Sequence, residues 1–307
     1  MRHGKHFAGT FRESRRPLDG VHINFYCEEV TLRRAVDRGS NWFGGVRLVA
    51  YPCSLLLAAT SVLAFAPVAE GDPKAKAPVT WSWNGKDAWL PSGKAPSCGN
   101  VRMQPPAQVA ALDGWLPPGR LNESARYYKA HGGLRFADPS ANGKVAAAVD
   151  GYFVRGAAYR ENRDGQMNGP GSSVQYLVDI QHPCGFLVRY DHLRTLSPAL
   201  QRIFDRSIPV GEDSRTTNVK PVKISKGQVL ATAVSVPDQP SPRQFDFGVY
   251  DLRRQQQSLH SGEWLAEHGS GAELANFTVC WPRLMGSAGV QIEALPNIAP
   301  QDGTDIC

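Results

Sequence analysis

Histidine, cysteine and tryptophan carry most of the chemistry open to this chain. His192 ends an alternating run in which Phe186, Val188, Tyr190 and His192 share one side, and Leu187, Arg189 and Asp191 the other. A histidine on an apolar face is either a packed core residue or a proton carrier, and the rest of the chain must decide which. His182 lies at the turn before that run, but nothing further argues for a metal held between it and His192. His260 and His268 read as surface residues. Cys98, Cys184, Cys280 and Cys307 are spread along the chain, with no two close in sequence, so zinc held by thiolates is not expected. Trp81 and Trp83 are two apart and share a face of any extended segment. They could dock on the domain or on a glycan. There is no dinucleotide-binding or P-loop glycine motif, and no Gly-x-Ser-x-Gly.

The elements that must position these residues are strands. Val174, Tyr176, Val178 and Ile180 alternate with Gln175, Leu177 and Asp179, a period of two with one buried face. Gln181-His182-Pro183-Cys184-Gly185 then reads as a tight turn into the His192 run, giving an antiparallel hairpin over residues 173–193. Residues 145–149 lead into Asp150-Gly151 and then 152–156, which reads as a second hairpin with Asp-Gly as its turn. Residues 160–172 read as a loop. Residues 197–222 read as an irregular connection with one helical turn near 200–204. A strand, a Lys226-Gly227 turn and another strand follow over 222–231. Residues 244–250 alternate again and close the sheet. In the tail, 276–281 reads as a short strand.

Charged residues make up 20% of the chain, with 30 glycines and 23 prolines, which suits a loop-rich β protein better than a helical one. The net charge is +6, but residues 1–47 hold nine Lys or Arg against five Asp or Glu, a net of +4, leaving +2 for the rest. No basic patch interleaved with aromatics follows, which argues against nucleic acid. Residues 1–45 read as a basic lead that is disordered or not translated. Residues 48–69 carry no charge, enough at 1.5 Å per residue to cross a bilayer. Arg47 and the basic lead precede this run, which places the following chain outside the cytoplasm. Ala64-Phe65-Ala66 resembles a cleavage site, although Pro67 would hinder the cut. The segment 46–70 is therefore a signal peptide or a signal anchor. Cys27 and Cys53 lie in or before it. The four cysteines beyond it suggest two disulfides, in any of three pairings. Residues 71–115 read as a linker, 116–252 as the main β domain, and 253–307 as an extension packed on it and stapled by a disulfide.

The order of segments over 116–252 resembles the LytM/lysostaphin-type zinc endopeptidases of the bacterial cell wall. His131-Gly132-Gly133 is similar to the start of that family's His-x-Gly-x-Asp motif, and Ala148-Val149-Asp150-Gly151 to its Ala-Asp-Gly hairpin. The stretch 182–193 resembles its Asp-His-Gly and Tyr-x-His-Leu hairpin. Lys226-Gly227-Gln228-Val229 resembles its Lys-Gly-Gln turn, and Gln244-Phe245-Asp246-Phe247 stands where it has His-x-His-Phe. The resemblance implies a mainly β fold of the duplicated hybrid motif type, an antiparallel sheet or barrel-sandwich hybrid built from hairpins. It also implies zinc ligands at positions 131, 135 and 246, with His192 and position 244 beside the metal.

The residue types depart from that pattern. Catalytic zinc needs three protein ligands and an open position. Arg135 offers no lone pair and stays charged. His131 and Asp246 alone would hold zinc weakly, so no cofactor is expected. Arg135 is instead expected to pair with Asp246 as a bidentate bridge in place of the metal. The binding groove is then His131, Arg135, Tyr190, His192, Gln244 and Asp246. Two alternatives remain. Asp138 could complete a zinc site with His131 and Asp246, with His192 as the catalytic base; that would need a bulge, because Arg135 and Asp138 face opposite sides of a strand. The other is the His182–His192 site noted above.

The resulting expectation is an exported protein, periplasmic, cell-surface or secreted, whose LytM-like domain does not catalyse. What the resemblance implies for partners is peptidoglycan or a cell-wall hydrolase. The first alternative is a divergent zinc endopeptidase acting on peptidoglycan cross-bridges. The second is an envelope scaffold without a ligand.

Overall fold

In the computed structural model of the chain, the residues described are 77–138, 143–162, 166–235, 243–256, 260–298, 303, 304, 306 and 307. The basic lead and the segment 46–70 lie outside them. No helix among the described residues is long and apolar enough to cross a membrane.

The described residues begin with β1 (Trp81–Trp83) and β2 (Trp89–Pro91), which pair with each other. Next come β3 (Leu112–Leu116), β4 (Arg120–Asn122), β5 (Tyr127–Lys129) and β6 (Gly132–Phe136). The short β7 (Val145–Ala146) precedes the long strands β8 (Gly151–Glu161), β9 (Ser173–His182) and β10 (Phe186–Leu196). Helix α1 (Pro198–Ser207) leads to β11 (Val210–Gly211), β12 (Thr217–Ile224), β13 (Val229–Val234) and β14 (Gln244–Asp251). The tail carries α2 (Gly262–Glu267), α3 (Ala272–Ala275), α4 (Ser287–Glu293) and β15 (Gly303–Thr304). These elements belong to one compact unit, Ala69–Cys307.

The fold is mainly β, around a ten-stranded sheet of order β11-β8-β9-β10-β14-β6-β3, with β12 on β8 and β13 on β10 and β7. The expected β9–β10 hairpin forms, its turn closed by Gly185 N–H donating to His182 O at 2.9 Å. The sheet is mixed rather than antiparallel throughout. After β10 the chain crosses through α1 and returns as β11, parallel to β8, as a helical crossover permits. That crossover is ten residues of helix where one turn was expected. Pro198 at its first turn presets φ, and Leu200 and Phe204, four apart, bury one stripe.

The expected hairpin around Asp150-Gly151 does not form. β7 pairs with β13, while β8 pairs with β9 and β12. Gly151 serves a close approach instead: a Cβ there would stand 2.5 Å from Gln181 O on β9. β14 does not close the sheet but lies inside it, between β10 and β6. In the tail, the expected strand reduces to one bridge, Thr278 to Tyr250, followed by a 3-10 turn over Trp281–Leu284.

One face of the sheet holds the main core, with Leu134, Phe153, Val178, Val188, Tyr190, Phe245 and Phe247 all fully buried. Trp281 from the tail closes on Phe247 edge to face, with centroids 4.9 Å apart. The opposite face is covered unevenly. At one end, Trp81 and Trp89 pack with Leu187, Tyr250, Leu274 and Phe277. The other end carries polar side chains and is described below.

Two disulfides choose among the three pairings. Cys98–Cys184 joins the segment after β2 to the β9–β10 turn. Cys280–Cys307 closes the tail on itself instead of tying it to the sheet. His260 and His268 are not simple surface residues. They stack on Trp264 with centroids 3.9 Å away in each case, and His268 is buried.

Candidate functional site

β14 alternates as its sequence requires: Phe245 and Phe247 enter the core, so Asp246 points to the opposite face. Asp246 sits opposite Gly133 on β6 and Asp191 on β10. It is 3% exposed, and its burial would be costly without partners.

Those partners come from three directions. Lys129, the last residue of β5, places Nζ 2.9 Å from Asp246 Oδ2. His131 places Nε2 2.8 Å from the same oxygen. His192 brings its Nε2 to 3.5 Å. His131 can lie this low because position 248 is glycine. A Cβ there would stand 2.8 Å from His131 Cβ and 2.9 Å from Tyr250 Oη. Gly248→Ala is therefore expected to lower stability by about 1–3 kcal/mol, as overpacked sites do. Urea unfolding will read the loss, and a cost near zero would show that His131 has room to move.

His192 reaches the site through a defect in the ladder. Tyr190 pairs with Val178, but the next pairing is Leu193 with Tyr176, so β10 carries one extra residue. This is a β-bulge, and His192 holds a left-handed φ of 59° within it. Tyr190 and Leu193 both stay in the core, while Asp191 and His192 both leave on the Asp246 face. Strict alternation predicted His192 beside Tyr190, and the bulge moves it to the other side.

Strands β8 and β9 complete the setting. Tyr159 Oη donates to Asp191 Oδ1 at 2.6 Å, and Asp191 Oδ1 also accepts from the His192 backbone N–H at 2.8 Å. His192 Nδ1 lies 2.8 Å from Gln175 Oε1 and 3.1 Å from Glu161 Oε2. Acceptors therefore face both ring nitrogens, the environment of an imidazolium. Burial opposes the charge, but Asp191, Asp246 and Glu161 outweigh it and hold His192 well above its ordinary 6.5. His131 goes the other way. Burial pushes it below 6.5, since the pull of Asp246 is offset by Lys129 and Arg120. Burial raises Asp246, yet Lys129 and His131 overcome it and hold the carboxyl well below 3.8. Lys129 stays charged, because Asp246 outweighs its desolvation.

These directions set a pH dependence. The raised His192 contributes stability that is complete below about 6.5 and is lost as pH rises through its folded value. The depressed His131 subtracts stability as pH falls below about 6.5, where the unfolded chain takes the proton first. The histidine contribution therefore peaks near 6.5. Histidine proton resonances followed across pH will show His192 charged and His131 neutral at neutral pH. The reverse order of titration would refute this assignment.

The structure brings together His131, His192 and Asp246 but not the other expected residues. Arg135 does not pair with Asp246: its Nε donates to Asp113 Oδ1 at 2.7 Å, and the cation on Asp246 is Lys129. Tyr190 is wholly buried on the core face, where its Oη accepts from Ala148 N–H at 2.7 Å. Gln244 shares the Asp246 face but is exposed at the start of β14, its backbone tied to Ser235. Asp138 is exposed beyond the end of β6, seven residues from His131 along an extended path of roughly 20 Å. His182 is at the β9–β10 turn, the far end of β9 from Gln175.

Lys129, Tyr159, Glu161, Gln175 and Asp191 were missed. Two of them left a signal: Lys129 is two residues before His131, and Tyr159 is two before Glu161, the spacing of a shared strand face. That Tyr159 lies opposite Gln175 depends on a pairing register that no local pattern gives.

The donor set does not fit a divalent metal. Asp246 Oδ2 already accepts from an ammonium at 2.9 Å and an imidazole at 2.8 Å. A metal there would face the Lys129 charge at contact distance. Among the described residues, one group of three acid, cysteine or histidine ligand atoms lies within 4.8 Å of one another: Cys280, Glu293 and Cys307. Both cysteines are tied in a disulfide and have no thiolate to offer. Compared with models of known protein families and with the curated proteins, the sequence matches none.

Proposed function

We propose that this is an exported cell-envelope protein with a LytM-like domain of the duplicated hybrid motif type, which binds peptidoglycan or a cell-wall hydrolase and does not cleave. The observation that carries this reading is Lys129 Nζ at 2.9 Å from Asp246 Oδ2. An ammonium takes the position of positive charge that the family gives to zinc, in a cluster built from His131, Asp246 and His192, the residues aligned with the family motif. Asp246 is then a structural hub and no water is activated. The two disulfides support a location outside the cytoplasm. The apolar segment 48–69 would deliver the chain there and, uncleaved, would anchor it.

Metal analysis of the oxidised protein supplied with zinc tests this reading. The expected result is less than about one zinc per ten chains, together with muropeptide or hydrolase binding without turnover. Near-stoichiometric zinc that is lost in His131→Ala would overturn it and restore the peptidase reading.

A further inference from the structure

Three chain segments meet in a cleft of about 690 Å³ that shares no residue with the Asp246 cluster. Its lining carries Arg102, Arg253 and Arg283 and, among the described residues, no acid. That volume falls within the range of ligand clefts. A second cleft of about 730 Å³ adjoins it, sharing Phe186, Arg253, Arg283 and Leu284 and adding Asp251 and Arg254.

The walls are tied together. The Cys98–Cys184 bridge joins the segment that leads to Arg102 to the β9–β10 turn. Met103 N–H donates to Leu284 O at 3.0 Å, so Arg102 and Arg283 stand on segments bonded to each other. Arg253 lies over Phe186, its guanidinium carbon 4.9 Å from the ring centre. Gly185 makes room for it, since a Cβ there would stand 2.6 Å from Arg253 Cγ.

One of the three arginines is already spent. Buried Asp251 accepts from Arg253 Nε at 2.7 Å and from Nη2 at 2.8 Å. Arg254 Nε lies 3.4 Å from the same carboxylate. Arg102 and Arg283 are exposed, and their side chains have no hydrogen-bond or ion-pair partner among the described residues. Glu293 and the chain end at Cys307 lie beside Cys280, which lines the second cleft. The uncompensated positive charge is therefore in the first cleft, on groups that a ligand can reach.

The rest of the lining distinguishes between anions. Phe186, Leu284 and Met285 supply apolar surface, and Asn100 and Ser287 are neutral and polar. A phosphodiester strand would satisfy the arginines but bring nothing apolar to that surface. An acidic peptide brings carboxylates that match the guanidinium fork, apolar side chains, and main-chain amides for Asn100 and Ser287.

We propose that this cleft binds an acidic peptide segment of another protein, its carboxylates accepting from Arg102 and Arg283 and an apolar side chain resting on Phe186 and Leu284. The proposal does not rest on the reading of the Asp246 cluster. The probe is a short fluorescein-labelled peptide alternating glutamate with leucine, titrated with the oxidised full chain and followed by anisotropy. Saturable binding is expected, weakened about tenfold or more in Arg102→Gln and in Arg283→Gln. Arg202→Gln removes the same charge from an exposed position on α1 and is expected to leave binding unchanged. The same peptide with glutamine in place of glutamate reads the charge requirement on the unaltered protein, and is expected to bind at least tenfold more weakly (an estimate of about one charge-assisted contact). No saturable binding, equal binding of the glutamine peptide, or equal effects of Arg202→Gln and the two cleft variants overturns the proposal. Inorganic polyphosphate that binds more tightly than the peptide would also overturn it and assign the cleft to a phosphate polymer.

Discussion

Asp246→Ala will lower the unfolding free energy by about 3 kcal/mol, whereas Asp246→Leu combined with Lys129→Met will recover most of that loss. The asymmetry follows from what each change leaves behind. The single change strips the carboxylate from Lys129, His131 and His192 at once and leaves an ammonium without its counter-charge. Breaking one partner of a buried pair costs about 3–5 kcal/mol, and the Lys129 side chain is 27% exposed, so the lower end applies. The double change removes both charges and keeps the volume, an exchange that is often near neutral. Urea unfolding of Asp246→Leu, of Lys129→Met and of the two combined gives the coupling directly. Additive losses would mean that Lys129 and Asp246 do not support each other. The depressed Asp246 contributes above about 3.8 and is lost as pH falls through its folded value. The penalty of Asp246→Ala will therefore shrink in acid.

Loss of the Cys98–Cys184 bridge will cost about 4 kcal/mol, more than loss of Cys280–Cys307. The first bridge spans 86 residues of sequence and the second 27. Chain-entropy reasoning gives about 4–5 kcal/mol for the longer loop and roughly 3.5 for the shorter. The long bridge also fixes where the β1–β2 hairpin meets the sheet, since Cys98 follows that hairpin and Cys184 lies in the β9–β10 turn. Double Cys→Ala variants, one per bridge, compared by urea unfolding will rank them. A smaller loss for the Cys98–Cys184 pair than for the Cys280–Cys307 pair would show that native-state contacts, and not loop closure, set the order.

The strands that could be read from the sequence share one property: their periodicity is local. β9, β10 and β14 each alternate over their own residues, and the Pro183–Gly185 turn lies between the first two. Elements that depend on partners distant in sequence were misread. Residues 145–156 resemble a hairpin, yet their strands pair with β13 and β9 instead of each other. The tail resembles a strand at 276–281, yet Trp281 is recruited to close the core on Phe247. In the candidate site, the expected resemblance pointed to His131, His192 and Asp246, which the structure brings together. It assigned the compensating cation to Arg135 because Arg135 occupies the motif position. The cation is Lys129, which lies outside the motif and arrives by way of β5, a strand paired with β4 and not with the main sheet. Competition between Asp113 and Asp246 for Arg135 could not be judged from residue types alone.

The polar cluster owes the pairing of Asp191 with His192 to a single surplus residue. Between Tyr190 and Leu193 the ladder carries one position more than its partner, and this is why an acid and a histidine emerge side by side from a strand that otherwise alternates. Both core anchors, Tyr190 and Leu193, keep their places on either side of it. A strand one residue shorter here could bury the same aromatic and aliphatic groups and show one polar residue in place of two. The step between a plain structural sheet and one that presents Asp191 and His192 together is thus a single codon in length, and it leaves the hydrophobic interior unaltered.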